Sequence, residues 1–112
     1  MSKLDESPIR IKSFQFACDI GGFTRLLKEK KEIELASQLL KNGTSIGANV
    51  REAQREVSTK DFKNKFGIAL KEADETKYWL ELIEATSDLQ TDNLKAKCEE
   101  LIRILVSIIK NS

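Results

Sequence analysis

Two series of residues repeat every seven positions through the middle of this chain, and they restrict it to long, packed helices. Ala36, Gly43, Val50 and Val57 form one series; Leu39, Ile46 and Ala53 form the other, offset by three. Small or apolar residues at alternating spacings of three and four share one helix face and make a packing seam. The seam runs through a polar, glycine-spaced insert, Gly43-Thr44-Ser45-Ile46-Gly47-Ala48-Asn49. Each interior glycine weakens a helix by roughly 1 kcal/mol relative to alanine. Close approach of another helix offsets that loss, so Gly43, Ser45 and Gly47 are read as a small-residue groove for helix close-packing. Thr44 and Ser45 can return their hydroxyls to carbonyls one turn back. Asn42-Gly43 alone would signal a stop. Because the seam continues past it, the helix is drawn from about Glu32 to Glu56.

Three further helical patterns flank this one. The first runs from about Pro8 to Lys30, with Ser7 as N-cap and Pro8 at the first helical position. Phe16, Ile20, Phe23 and Leu27, with Ala17 beside them, make its inner face. Gly21-Gly22 marks a possible kink or tight crossing. The third opens at Ser58-Thr59-Lys60-Asp61, which resembles a capping box, and ends near Thr86. Its inner face is Phe62, Phe66, Ala69, Leu70, Ala73, Leu80 and Ile83. The fourth has Thr91 as cap and Asp92 in the first turn, with Leu94, Cys98, Leu101, Leu105 and Ile108 as its stripe. The connections, around Lys31, at Val57-Ser58 and from Ser87 to Gln90, are short and force antiparallel neighbours. The expectation is one all-α domain over residues 1–112, an antiparallel up-down-up-down four-helix bundle. The first six residues and Lys110-Asn111-Ser112 are expected to fray.

Composition narrows the chemistry. Nineteen Lys and Arg balance eighteen Asp and Glu, for a formal charge of +1. A protein that grips many phosphates usually carries a basic surplus. The chain has no histidine, which removes His-based acid–base catalysis, Ser-His and Cys-His pairs, and the ExxH ligands of di-iron bundles. No metal, cofactor or small-molecule substrate is expected, and the chain is not read as an enzyme. Cys18 and Cys98 lack CxxC spacing and are read as reduced, buried small hydrophobes. The N-terminus, MSKLDESPIR, has no apolar targeting core. The run Leu101 to Ile109 is too short to span a bilayer. A cytoplasmic protein is expected, with no membrane partner.

Two candidate surfaces remain. Glu52, Glu56, Glu72, Asp74, Glu75, Glu81 and Glu84 crowd the central helices, and Glu72 and Glu75 share a face. They are read as a solvated face carrying Lys71–Glu75 and Lys77–Glu81 pairs, ahead of a catalytic or divalent-metal site. Trp79 and Leu82 stand about 100° from the third helix's core face, and Ile104, Val106 and Ile109 widen the fourth helix's stripe. This apolar surplus is read as an oligomer interface. A base-stacking platform for RNA is the alternative for Tyr78-Trp79.

The blocks GTSIGANVREAQ and DFKNKFGIALKEADETKYWL resemble those of the bacterial four-helix-bundle family that includes proteins encoded in intervening sequences of 23S ribosomal RNA genes. They span about half of the chain. The resemblance implies an antiparallel bundle assembled as a homopentamer around a central opening. The accessory protein of diversity-generating retroelements is similar in architecture; it binds RNA and a reverse transcriptase through a strongly basic surface, which the balanced charge here does not match. The resemblance carries over no catalytic residues. The reading is a non-enzymatic oligomeric scaffold or adaptor whose partner is chiefly itself. An RNA-binding or nucleoprotein accessory is the alternative.

Overall fold

The computed structural model describes residues 6–112. Four helices follow one another: α1 (Pro8–Glu29), α2 (Ile33–Ala53), α3 (Thr59–Thr86) and α4 (Asp92–Lys110). They form the antiparallel up-down-up-down bundle, each helix packing on its sequence neighbours while α1 and α4 close the ring. No strand occurs among the described residues. For residues 1–5 the expected N-terminal fraying lies outside the described residues, and Lys110 is the last residue of α4.

Helix boundaries follow local chemistry, with some departures from expectation. Pro8 sits in the first turn of α1, where its missing N–H leaves nothing unsatisfied. The Ser7 hydroxyl does not cap that helix. It accepts a hydrogen bond from Gln54 Nε2 at 3.1 Å, tying α1 to the end of α2. Gly21 and Gly22 neither break α1 nor receive another helix within the chain; a Cβ at either would meet nothing within 4 Å.

The α1–α2 turn closes by a paired pattern at the helix C-terminus. The Lys31 N–H donates to the Lys28 carbonyl at 2.9 Å and the Glu32 N–H to the Leu27 carbonyl at 2.9 Å. This reversal places Lys31 at φ 65°, a left-handed position usually held by glycine.

Helix α2 stops at Ala53, earlier than the seam suggested. Val57 falls in the turn and is fully exposed, so the seam ends at Val50 and Ala53. The chain must straighten there for Ser58, whose hydroxyl accepts the Asp61 N–H at 3.1 Å and starts α3. At the start of α4, Thr91 precedes the helix but its side chain makes no cap. Its hydroxyl is buried between Leu80 O at 3.3 Å and a Glu84 carboxylate oxygen at 3.2 Å, pinning the α3–α4 corner.

The core runs the length of the bundle. Ile9, Phe16, Ile20 and Leu27 of α1 meet Ala36, Leu39, Ile46, Val50 and Ala53 of α2, Phe66, Ala69, Ala73, Leu80 and Ile83 of α3, and Leu94, Cys98, Leu101 and Leu105 of α4. Phe23, Phe62, Leu70 and Ile108 are only half-buried at its margin. Three hydroxyls enter this layer on helix carbonyls: Ser13 on Arg10 at 3.2 Å, Thr24 on Gly21 at 2.9 Å and Thr76 on Glu72 at 2.7 Å. Cys98 is buried and its thiol donates to Ala73 O at 3.2 Å, whereas Cys18 is exposed, contrary to the expectation of two buried cysteines.

Candidate functional site

The groove of small residues in α2 faces α1. At Gly43 an added Cβ would lie 2.9 Å from Ile20 Cγ2, a fully buried side chain. At Gly47 it would lie 3.4 Å from the Ser13 carbonyl and hydroxyl oxygens. Ser45 is half-buried and its hydroxyl turns back to Lys41 O at 2.7 Å, as Thr44 does to Leu40 O at 2.7 Å. This geometry sets the α1–α2 distance and therefore the direction in which the opposite side of α2 presents its residues to α3.

On that opposite side lies the most organised polar cluster. Asn42 is buried among three side chains of α3. Its Nδ2 donates to Glu72 Oε2 and to Glu75 Oε2, each at 2.7 Å, and its Oδ1 accepts the indole N–H of Trp79 at 2.8 Å. The orientation of the amide is forced: carboxylates only accept and an indole only donates, so a flipped amide would clash with all three. Hydrogen bonds to charged groups each contribute about 1.5–3 kcal/mol. The spacing 72, 75, 79 puts all three partners on the α2-facing side of α3. Trp79 is thereby held at the shoulder of the bundle, its ring 5.2 Å from that of Tyr78 in an edge-on contact. A shallow groove of about 420 Å³, lined by Glu34, Leu35, Ser37, Gln38 and Trp79, opens beside it.

The carboxylates are therefore not the lysine-paired surface that spacing suggested. Among the described residues, Lys71–Glu75 and Lys77–Glu81 make no ion pair. The pairs link different helices instead: Lys12–Glu100 at 2.7 Å, Lys97–Asp19 at 2.7 Å, Lys65–Glu52 at 3.2 Å, and Lys95–Glu84. The Lys95 ammonium holds the Glu84 carboxyl below the usual carboxylate range, and Lys12 does the same for Glu100. No cluster of three or more metal-ligating side chains occurs among the described residues. Asn42 was missed from sequence because its neighbour Gly43 drew it into a stop signal. The available signal was the 3-4 spacing of Glu72, Glu75 and Trp79, three polar-tipped residues that require a buried partner.

The five positions read as an interface do not converge. Trp79 lies on the α2 side of α3. Ile104 shares its face with Lys97 and Glu100, which pair with α1. Trp79, Ile104 and Ile109 are half-buried against the core, and Leu82 is half-buried. Val106 is exposed and lines a groove of about 450 Å³ on α4 with Ile102, Arg103 and Lys110. Larger exposed apolar groups stand on α1, which the pattern had treated as one-faced: Phe14 is 55% and Ile11 42% exposed.

The fold is an all-α four-helix bundle with one hydrogen-bonded polar cluster between α2 and α3 and apolar residues exposed on α1 and α4. The chain belongs to the 23S rRNA-intervening sequence protein family, whose model matches residues 6–107. A crystal structure of a protein with unknown function from the S23 ribosomal protein family of Bacteroides thetaiotaomicron VPI-5482 is similar at 43% identity. The match covers 91% of this chain and 98% of that one, with a TM-score of 0.88. No curated protein matches the chain. Among the described residues no helix is long and apolar enough to cross a membrane.

Proposed function

We propose that this chain is a non-enzymatic homo-oligomeric scaffold or adaptor. The observation that carries the reading is the apolar surface left over once the core is complete, including Ile11, Phe14 and Val106. Soluble monomers rarely leave large contiguous apolar patches in water, and copies of the same chain are the simplest cover. Five copies is the number that the family resemblance implies. The non-enzymatic reading rests on the lack of histidine and on the engagement of Glu72 and Glu75 by Asn42. A reduced, cytoplasmic setting suits two free cysteines. Light-scattering mass at micromolar concentration tests the assembly. A multiple of 12.7 kDa is expected, and a clean monomer overturns it.

A second reading, an RNA or nucleoprotein accessory, draws on Arg51, Arg55, Lys60 and Lys63 at the α2–α3 corner. Glu52, Glu56 and Asp61 are interleaved with them and offset most of that charge. Retention on RNA near physiological salt, with a steep salt dependence, would favour this reading over the scaffold.

A further inference from the structure

Asn42-Gly43 carries a reactivity that the fold suppresses. Asparagines stand at positions 42, 49, 64, 93 and 111, and only Asn42 precedes a glycine. A backbone nitrogen can attack the side-chain carbonyl of the asparagine before it, and the reaction gains from being intramolecular. A side chain on the attacking residue obstructs that approach. Val50, Lys65, Leu94 and Ser112 obstruct it at the other asparagines. Gly43 has no side chain, and its backbone turns freely once the chain is unfolded.

The step balances with water alone. The Gly43 nitrogen bonds to Asn42 Cγ, the Cγ–Nδ2 bond breaks, and the Gly43 amide proton leaves with Nδ2 as ammonia. Water then opens the cyclic imide. Opening at Cγ leaves aspartate at position 42. Opening at the Asn42 main-chain carbonyl leaves isoaspartate, with the backbone rerouted through Cβ and Cγ.

The folded chain opposes this at every contact of the pair. Both residues lie in the middle of α2. A helical ψ of about −42° turns the Gly43 nitrogen away from Asn42 Cγ and commits its N–H to the carbonyl one turn back. The Asn42 amide is held on α3, with Nδ2 on Glu72 and Glu75 and Oδ1 on Trp79. Gly43 is held on α1, where Ile20 fills the space beside it. Both residues are buried, which keeps out the water that opens the imide. Ring closure therefore requires α2 to bend and to part from α1 and α3 together, an opening close to unfolding of the whole bundle.

From this we infer that Asn42-Gly43 is a deamidation site gated by the packing of α2 between α1 and α3, and that its products bar the way back. Aspartate at position 42 sets a third carboxylate against Glu72 and Glu75 and removes both amide donors. Isoaspartate lengthens the backbone inside α2 and breaks the register of its hydrogen bonds. A chain that opens and closes is unchanged, whereas a chain that reacts while open is marked for good.

The test follows deamidation of the full chain across a urea series in mildly alkaline buffer, by peptide mapping at residue 42, with the unfolded fraction read by circular dichroism. The rate should track the unfolded fraction, and the native chain should react at least about a thousandfold more slowly than the urea plateau. Trp79→Phe removes the indole donor and leaves the Asn-Gly pair intact. It should raise the rate in native buffer by the factor by which it raises the unfolded fraction, with the plateau unchanged. Gly43→Ala should lower the plateau itself, where folding plays no part. The isolated deamidated chain, returned to native buffer, should unfold at a lower urea midpoint than the unmodified chain. A native rate within about tenfold of the plateau overturns the gating. Faster loss at another asparagine in urea, or a plateau that Gly43→Ala leaves unchanged, overturns the site. A deamidated chain with the native midpoint overturns the barrier to return.

Discussion

The indole N–H of Trp79 donates to the side-chain oxygen of Asn42 at 2.8 Å, across 37 residues of sequence. That bond uses the one acceptor of an amide whose two donors are already committed to Glu72 and Glu75. The α2–α3 seam is thus locked by four side chains whose hydrogen-bonding roles interlock, with both amide donors of the asparagine committed.

Replacing Asn42 should be costly. Asn42→Ala leaves the indole N–H without its partner and removes two charge-assisted bonds, for an expected loss of about 2–4 kcal/mol in urea unfolding. Asn42→Asp should be worse at neutral pH, because it sets a third carboxylate against two others. Repulsion from two neighbouring carboxylates disfavours ionisation of the introduced carboxyl in the folded state, so the variant's stability falls as pH rises and recovers as pH falls. An Asn42→Asp protein as stable as the native chain at pH 7 would show that the cluster is solvated rather than locked.

Gly43 and Gly47 should respond differently to alanine. At Gly43 the new methyl lands 2.9 Å from Ile20, which is fully buried and has nowhere to move. Overpacking costs about 1–3 kcal/mol, against roughly 1 kcal/mol gained in helix propensity, so Gly43→Ala should destabilise. At Gly47 the nearest atoms stand at 3.4 Å, and alanine should be neutral or mildly stabilising. Paired thermal melts decide this, and equal effects at both sites would contradict the packing geometry.

Lys31 carries the one positive φ among the described residues. A left-handed conformation costs a side-chain-bearing residue about 1–2 kcal/mol, part of which glycine returns as chain entropy. Lys31→Gly should raise stability by about 0.5–1 kcal/mol. An unchanged or lowered denaturation midpoint would show that the lysine side chain contributes more than its strain removes.

The two thiols should separate cleanly by reactivity. Burial pushes the Cys98 thiol up to about 12, while Cys18 is exposed. One equivalent of thiol reagent should react at once in the native protein and the second only on unfolding. In the unfolded chain Cys98 ionises near 9.0, so its contribution to stability is complete below that pH and is lost as pH climbs toward about 12. Cys98→Ala should flatten that alkaline decline, and an undiminished decline in urea midpoints above pH 9 would assign it to other groups.

The helices themselves were legible in the sequence because they follow from short-range periodicity. Seven-spaced series, a proline in the first turn and a serine three residues ahead of an acid each act within one or two turns of chain. The partners of hydroxyl side chains were less legible. Ser7 and Thr91 have the composition of caps, yet their side chains were drawn to Gln54, Leu80 and Glu84, partners that exist only once the helices are assembled.

What the sequence determined alone was the number of helices, their antiparallel order and the faces that meet in the core, because apolar burial at helical spacing is the largest driving force and is read locally. The tertiary structure decided which polar groups find one another. Asn42 lies 30 and 33 residues from Glu72 and Glu75, and no local rule pairs an amide with two carboxylates at that distance. Their meeting depends on the axial register of α2 against α3. Packing sets that register, including the close contact that Gly43 permits at Ile20 on the other side of the helix. The exposure of Ile11 and Phe14 on α1 was hidden for the related reason that a one-dimensional pattern assigns a helix one inner face, and only the assembled bundle shows which apolar residues are left outside.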